Sequence, residues 1–350
     1  MDFGRGYSRP GMARQGVACS AISRRRLLAV SAAGGLAASL GRASAQAVKR
    51  IDKFAPELEN IISTSEPIIE LGTGFGGSGN TEGPVWWHEG GYLLFSSIGE
   101  NRRIKYVPGK GTSVDKEPTN GANGLTRDPQ GRLVMCEGLT RRVTREERDG
   151  SITVVANSFQ GFPLNKPNDV VVKSDGAVYF TDPWNIQPVP NQWDLQFNGV
   201  FRVAPDLGSI TLLIDHFILP NGLAFSPDES VLYVNDSRRR QITAFDVMPN
   251  GTLAGQSERL FVQFAGAEPG GPDGMKVDTA GNVYCGGPGG IHIMDPRGKT
   301  LGRIVHGEPQ TTNLAFGGDD WRTLFYTTRR TFGSVRVRIP GVPVPATKRS

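Results

Sequence analysis

Apolar residues recur along this chain in short runs broken by turn-forming residues, and no long stretch has helical spacing. One pattern repeats: a polar residue, often followed by glycine, then an apolar run, a turn with Asp or Gly, and a second apolar run. Glu82-Gly83-Pro84-Val85-Trp86-Trp87 runs to Tyr92-Leu93-Leu94-Phe95, and Asn123-Gly124-Leu125 runs through Asp128 and Gly131 to Leu133-Val134-Met135-Cys136. Asn168-Asp169-Val170-Val171 leads through Asp175-Gly176 to Val178-Tyr179-Phe180, and Asn221-Gly222-Leu223-Ala224-Phe225 through Asp228 to Val231-Leu232-Tyr233-Val234. Asp273-Gly274-Met275-Lys276-Val277 and Asn313-Leu314-Ala315-Phe316 begin the last two copies, which end on Val283-Tyr284-Cys285 and Leu324-Phe325-Tyr326.

Each copy predicts two β-strands joined by a tight turn. The copies start about 40 to 55 residues apart, the length of a four-stranded propeller blade. Further strand candidates lie between them at Arg102 to Val107, Ser151 to Val155, Gly199 to Val203, Ile242 to Phe245 and Gly290 to Met294. The expected fold is all-β, a six-bladed β-propeller with four-stranded blades. Uneven spacing argues against a solenoid, the lack of intervening helices against an α/β barrel, and the absence of a seventh copy against seven blades.

The innermost strands of a propeller surround a common axis, so the residue that starts each copy faces the mouth of the tunnel. Those residues are Glu82, Asn123, Asn168, Asn221, Asp273 and Asn313, every one a carboxylate or a carboxamide and a poor strand former. The bland alternative is that Asn-Gly and Asp-Gly are turn formers ahead of a strand. Glu82 weakens it, because glutamate is a poor turn residue. Two carboxylates with several amide carbonyls suit one hard divalent cation, calcium first, with zinc, manganese or magnesium as alternatives. An imidazole and thiolate site is not expected, since His88, His216, His292 and His306 show no ligand spacing. Gly74 to Gly79 is glycine-rich but lacks the lysine and helix of a phosphate loop.

Charge changes meaning once the N-terminus is set apart. Ser23-Arg24-Arg25-Arg26-Leu27-Leu28 leads into an apolar stretch from Ala29 to Leu40 and then Ala43-Ser44-Ala45, the form of a twin-arginine export signal with its cleavage site. The expected divisions are a signal over 1–45, a lead-in over 46–69, the propeller over 70–340 and a C-terminal tail over 341–350. The precursor would pass through the twin-arginine machinery to the periplasm or beyond, without a lipid anchor, since Cys19 precedes the apolar stretch. The leader holds seven of the 39 basic residues and one of the 34 acidic ones, which leaves 32 against 33, a formal net charge of −1. The basic footprint of a nucleic-acid or anionic-membrane partner is therefore absent from the mature chain. Of the cysteines only Cys136 and Cys285 remain after cleavage, expected as buried thiols with a disulfide as the alternative.

Glu82-Gly83-Pro84, Asn165-Lys166-Pro167-Asn168-Asp169-Val170, Tyr179-Phe180-Thr181-Asp182-Pro183, Pro220-Asn221-Gly222-Leu223-Ala224-Phe225-Ser226-Pro227-Asp228 and Pro272-Asp273-Gly274-Met275-Lys276-Val277-Asp278 occur in an order that resembles the gluconolactonase, senescence-marker and luciferin-regenerating enzyme family. The resemblance runs from about Glu70 to Val337 and implies a six-bladed propeller with a catalytic divalent metal that hydrolyses lactones. By that resemblance Glu82, Asn221 and Asp273 match metal ligands, Asn168 matches the amide completing the metal and substrate shell, and Asp273 matches the proton acceptor. Asn123 and Asp182 are further candidates for substrate contact. The expected substrate is a small sugar lactone. Organophosphate or aryl-ester hydrolysis on the same fold is one alternative, and a non-catalytic propeller that binds a sugar or protein is the other. Two departures stand out: Trp184-Asn185-Ile186 opens a long polar loop to Asn198, and Lys166 replaces a small residue, where it either meets an acidic substrate group or points to solvent.

Overall fold

The computed structural model describes residues 48–184 and 194–345. The paired arginines, Cys19, the Ala43-Ser44-Ala45 cleavage sequence, 185–193 of the Trp184 loop and the last five residues of the tail lie outside the described residues.

The described chain forms six antiparallel blades of four strands each. Blade one comprises Thr81–Trp87, Tyr92–Ser97, Arg102–Val107 and Gly111–Lys116, and blade two Ala122–Arg127, Leu133–Glu137, Arg142–Glu146 and Ile152–Ala156. Blade three comprises Val170–Val172, Val178–Asp182, Gly199–Val203 and Ile210–Ile214, and blade four Pro220–Phe225, Val231–Asp236, Gln241–Asp246 and Arg259–Gln263. Blade five runs Met275–Val277, Val283–Gly287, Gly290–Met294 and Thr300–Val305, and Arg50–Lys53 adds a fifth strand to its outer edge. Blade six takes Thr311–Gly317, Thr323–Thr328 and Thr331–Arg336 from the end of the chain, and its outer strand Ile69–Thr73 from the beginning. That pairing closes the ring by hydrogen bonds between the two ends of the propeller sequence.

The apolar runs form strands because each blade is covered on both faces. Successive side chains of a strand point to opposite faces, and neighbouring residues accordingly enter different interfaces. Val85 and Leu94 pack with Leu125 and Met135 of blade two, while Trp86, Leu93 and Phe95 pack with Phe325 and Phe332 of blade six. Six apolar clusters thus fill the six interfaces between blades. Cys136 and Cys285 are free, buried thiols in two different interfaces, against blades three and four respectively.

The aspartate that recurs in the turns of blades two to six has a local reason. The carboxylates of Asp128, Asp175, Asp228, Asp278 and Asp320 each accept the backbone N–H two residues on, at 2.9 to 3.1 Å. Such a turn fixes where the first strand ends and the second begins.

His306 follows the fourth strand of blade five and is buried, bonded through Nε2 to the Thr311 hydroxyl at 2.7 Å and stacked on Tyr326. Burial holds its imidazole down at about 4, and Lys49 adds to the effect. The native state therefore binds this proton less well than the unfolded chain does. Its contribution, on the order of 3 kcal/mol, is complete above the ordinary histidine value and lost as pH falls from about 6.5 to 4. Melting temperatures measured across that range will fall less steeply for His306→Gln than for the wild type; equal slopes would remove this histidine from the acid response.

Candidate functional site

The residues that open the six copies converge at one mouth of the tunnel. In blades one, two, four and six the pairing of the innermost strand shifts at or beside this residue, between Glu82 and Val85, Ala122 and Leu125, Pro220 and Leu223, and Thr311 and Asn313. Such irregularities re-aim a side chain away from the sheet face. In blades three and five the innermost strand starts only after the residue concerned.

The glycines that follow these residues are not turn formers. Only Gly83 has a positive φ, of 55°. What the others need is room: a Cβ on Gly222 would stand 2.2 Å from the Asp273 carbonyl oxygen, and one on Gly274 would stand 2.1 Å from the Asn313 side chain. The backbone of each blade abuts the first residue of the next. Polar side chains fasten the same junctions, since Ser96 Oγ donates to Asn123 O at 2.8 Å, Thr181 Oγ1 to Asn221 O at 2.8 Å, and Asn235 Nδ2 to Asp273 O at 2.5 Å.

Four of the expected residues form one hydrogen-bonded arc. Asn123 Nδ2 donates to Asn168 Oδ1 at 2.6 Å, Asn168 Nδ2 donates to Asn221 Oδ1 at 2.7 Å, and the Asn221 side chain bonds to Asp273. Gln310 Nε2 holds the other side of Asp273, donating to Oδ2 at 2.8 Å. The three amides are half-buried and reach the surface, whereas Glu82 and Asp273 lie beneath them at 5% and 4% exposure. Burial, and next the Asp169 carboxylate, push the Glu82 carboxyl up to about 8. Burial and then the Glu82 charge hold Asp273 well above the ordinary carboxylate range.

Asn313, Asp169 and Lys276 sit in the same tunnel. Asn313 Nδ2 donates to Asp169 Oδ2 at 3.3 Å and also bonds to Glu82, while its Oδ1 accepts from Leu314 N at 2.8 Å and from Lys276 Nζ at 3.4 Å. Blades three and six face each other across the axis, so the Asp169 contact spans the tunnel. Asp182 is elsewhere: it is fully buried, its Oδ2 accepts the Asn165 backbone N–H at 2.7 Å, and Lys166 N–H bonds to it as well. Burial pushes it up to about 7. Through these bonds it braces the loop that delivers Asn168. Lys166 is exposed. At the loop after blade three's second strand, Trp184 N donates to Asn198 Oδ1 at 2.5 Å and the Arg141 guanidinium lies 5.6 Å from its ring.

Sequence reasoning passed over Asp169, Lys276, Gln310 and the fasteners Ser96, Thr181 and Asn235. Each fastener is the polar residue that ends or follows the second apolar run of its copy, a regularity visible in the chain. Asp169 stands where four of the other five copies have glycine. Gln310 and Lys276 carry no such mark.

A divalent cation fits this ring. Among the described residues no three His, Cys, Asp or Glu side chains converge as a metal cluster, so the available donors are two carboxylates and amide oxygens, hard ligands of the kind that hold calcium or magnesium. Asn123 Oδ1 is buried and has no hydrogen-bond partner, and each partnered amide oxygen keeps a second lone pair. Two desolvated carboxylates that raise one another are what a nearby positive charge would relieve.

Comparison with known proteins agrees with this reading of the fold. A family model described as SMP-30/Gluconolactonase/LRE-like region matches residues 80–330. The chain belongs to that family. A gluconolactonase of Zymomonas mobilis is 32% identical to it, over 91% of this chain and 99% of the relative. A pentonolactonase of Haloferax volcanii is 29% identical, over 71% of this chain and 80% of its own. The solved structure of a gluconolactonase from Xanthomonas campestris superposes with a TM-score of 0.75 at 29% identity, covering 83% of this chain and 96% of that one. In this family member the matched region takes in all six ring residues and leaves the Arg50–Lys53 strand outside.

Gly222→Ala tests the dependence of the ring on blade contact. The added Cβ must push the Asp273 backbone aside, which will destabilise the protein by about 2 to 4 kcal/mol, read as a lower denaturation midpoint. A variant as stable as the wild type would show that the junction yields freely.

Proposed function

We propose that this member of the family hydrolyses a small sugar lactone to its hydroxy acid at the ring of Glu82, Asn168, Asn221 and Asp273. The single observation behind the proposal is the arc of half-exposed amides that ends on a buried carboxylate, in a chain whose relatives include a gluconolactonase and a pentonolactonase. The class of reaction is hydrolysis of a cyclic carboxylic ester.

A divalent cation, calcium by the hardness of the donors, would be held by Glu82, Asn168, Asn221 and Asp273, and bound there it supplies the positive charge that polarises a lactone carbonyl and keeps both carboxylates ionised. Asn123 and Asn168, at the accessible edge of the arc, present amide groups to the sugar hydroxyls. Asp273, steadied by Gln310 and Asn221, takes a proton from water as the water oxygen bonds to the carbonyl carbon. The bond from that carbon to the ring oxygen then breaks, and the proton passes from Asp273 to the departing ring oxygen. The hydroxy acid so formed ionises at neutral pH and releases one proton to solution. Export through the twin-arginine route would place this activity in the periplasm or outside the cell.

Acid release from glucono-1,5-lactone by the mature protein is the decisive measurement. With calcium present it will exceed the spontaneous rate, and chelator will abolish the excess. Asp273→Asn will lower the rate by roughly a hundredfold or more while the protein remains folded by circular dichroism. No turnover on this or a panel of other lactones would sink the proposal and favour the binding-protein reading.

Cation binding itself has a signature. Glu82 and Asp273, both held above their ordinary values, must lose protons to bind a cation. Adding calcium to chelator-stripped protein in weak buffer at neutral pH will therefore release protons, and a titration with no pH change would argue against these two as ligands.

A further inference from the structure

Three side chains meet within the tunnel, Lys276, Asn313 and Asp169. Lys276 rises from the innermost strand of blade five, with its stem on the wall of a cavity of about 620 Å³ at the opposite mouth. That cavity is lined mainly by apolar side chains such as Val85, Val171, Phe225 and Phe316, with Arg127 and Glu229 also on its wall, so the lysine stands between a mainly apolar space and the buried carboxylates. Its Nζ turns to the polar side and donates to Met275 O at 3.0 Å and Asn313 Oδ1 at 3.4 Å.

The Asn313 amide is oriented from both ends. Its oxygen is occupied by Lys276 and by the Leu314 N–H, which turns its NH₂ toward Asp169 Oδ2 and Glu82. This also explains why the Asn313 amide points to Asp169 and Glu82 rather than into the arc. Within this part of the tunnel Glu82, Asp169 and Asp273 are the buried carboxylates, each at most 5% exposed, and Lys276 is the ammonium whose charge favours the ionised forms of Asp169 and Glu82. With all three carboxylates ionised, as cation binding requires, three negative charges against one positive leave two, the charge of a single divalent ion.

We propose that Lys276 is a tethered counter-ion for Asp169, relayed through the Asn313 amide, which leaves Glu82 and Asp273 to balance one divalent cation. For the cation this rests on the reading given under Proposed function; the pairing of Lys276 with Asp169 does not. Lys276 is a positioning residue, since its charge acts on the ring through Asn313 and Asp169 and it does not meet the substrate.

The test is a charge-swap cycle on the full mature protein with two readouts, melting temperature in chelator and calcium affinity by calorimetry. Lys276→Met keeps the stem against the apolar cavity and removes the charge. In chelator it will melt below the wild type, and it will bind calcium about tenfold or more tightly, because the site is one charge more negative. Adding Asp169→Asn in the same chain restores the balance, and both readouts will return close to wild type, a non-additivity that packing loss would not produce. Equal melting and affinity in Lys276→Met, or a double variant that is worse than the single one, overturns the proposal. Should Lys276→Met fail to fold, a folded double variant supports the pairing and an unfolded one overturns it. Wild-type protein that binds no calcium would defeat the metal reading, while the melting cycle in chelator would still decide the pairing.

Discussion

The close approach of six innermost strands to one axis is the constraint from which the rest of this molecule follows. Backbones that meet at that distance leave no space for a Cβ at Gly222 or Gly274, and they bring the first residues of blades two to five into one hydrogen-bonded series. The geometry holds only while all six interfaces are packed, and the ring is complete only because Ile69–Thr73 pairs with Thr331–Arg336. A single blade, with both of its apolar faces exposed, would have no reason to remain folded.

The same convergence creates the chemistry. Carboxylates drawn into a narrow tunnel lose their hydration, and like charges then raise one another. The protein answers with oriented dipoles: three amides in series ending on Asp273, Gln310 on its Oδ2, and Asn313 toward Glu82 and Asp169. These groups are held by blade packing rather than by one another alone, so they are in position before a substrate or cation arrives. Preorganisation of that kind is where a hydrolytic site gains most of its advantage over water.

Much of this was legible in the chain. Alternating burial on both faces of each blade required apolar runs, and the turn aspartates marked where the runs divide, so blades and strands could be placed from the repeat. The ring residues were legible because Asn, Asp and Glu are unsuited to the start of a buried strand unless something there uses them. The alternative that the following glycines are turn formers fails for three of them: Gly124, Gly222 and Gly274 serve close contact between blades, and of the four only Gly83 has the backbone angle of a turn. Asp182, a candidate for substrate contact, is buried and braces the Asn165-Lys166 loop.

By itself, then, the sequence determined the number of blades, the strands in them and the residue types at the tunnel mouth, because each is set by local periodicity or by a turn that closes within a few residues. Only the tertiary structure decided which of those residues touch. Asn123, Asn168, Asn221 and Asp273 form an arc, Asn313 turns inward to Asp169 on the opposite blade, and Lys276 enters from below. Those contacts join residues some 40 to 140 positions apart, and their directions depend on shifts in strand pairing that periodicity does not record. Charge is felt through space, so the partners of a buried carboxylate are fixed by the fold and not by its neighbours in the chain.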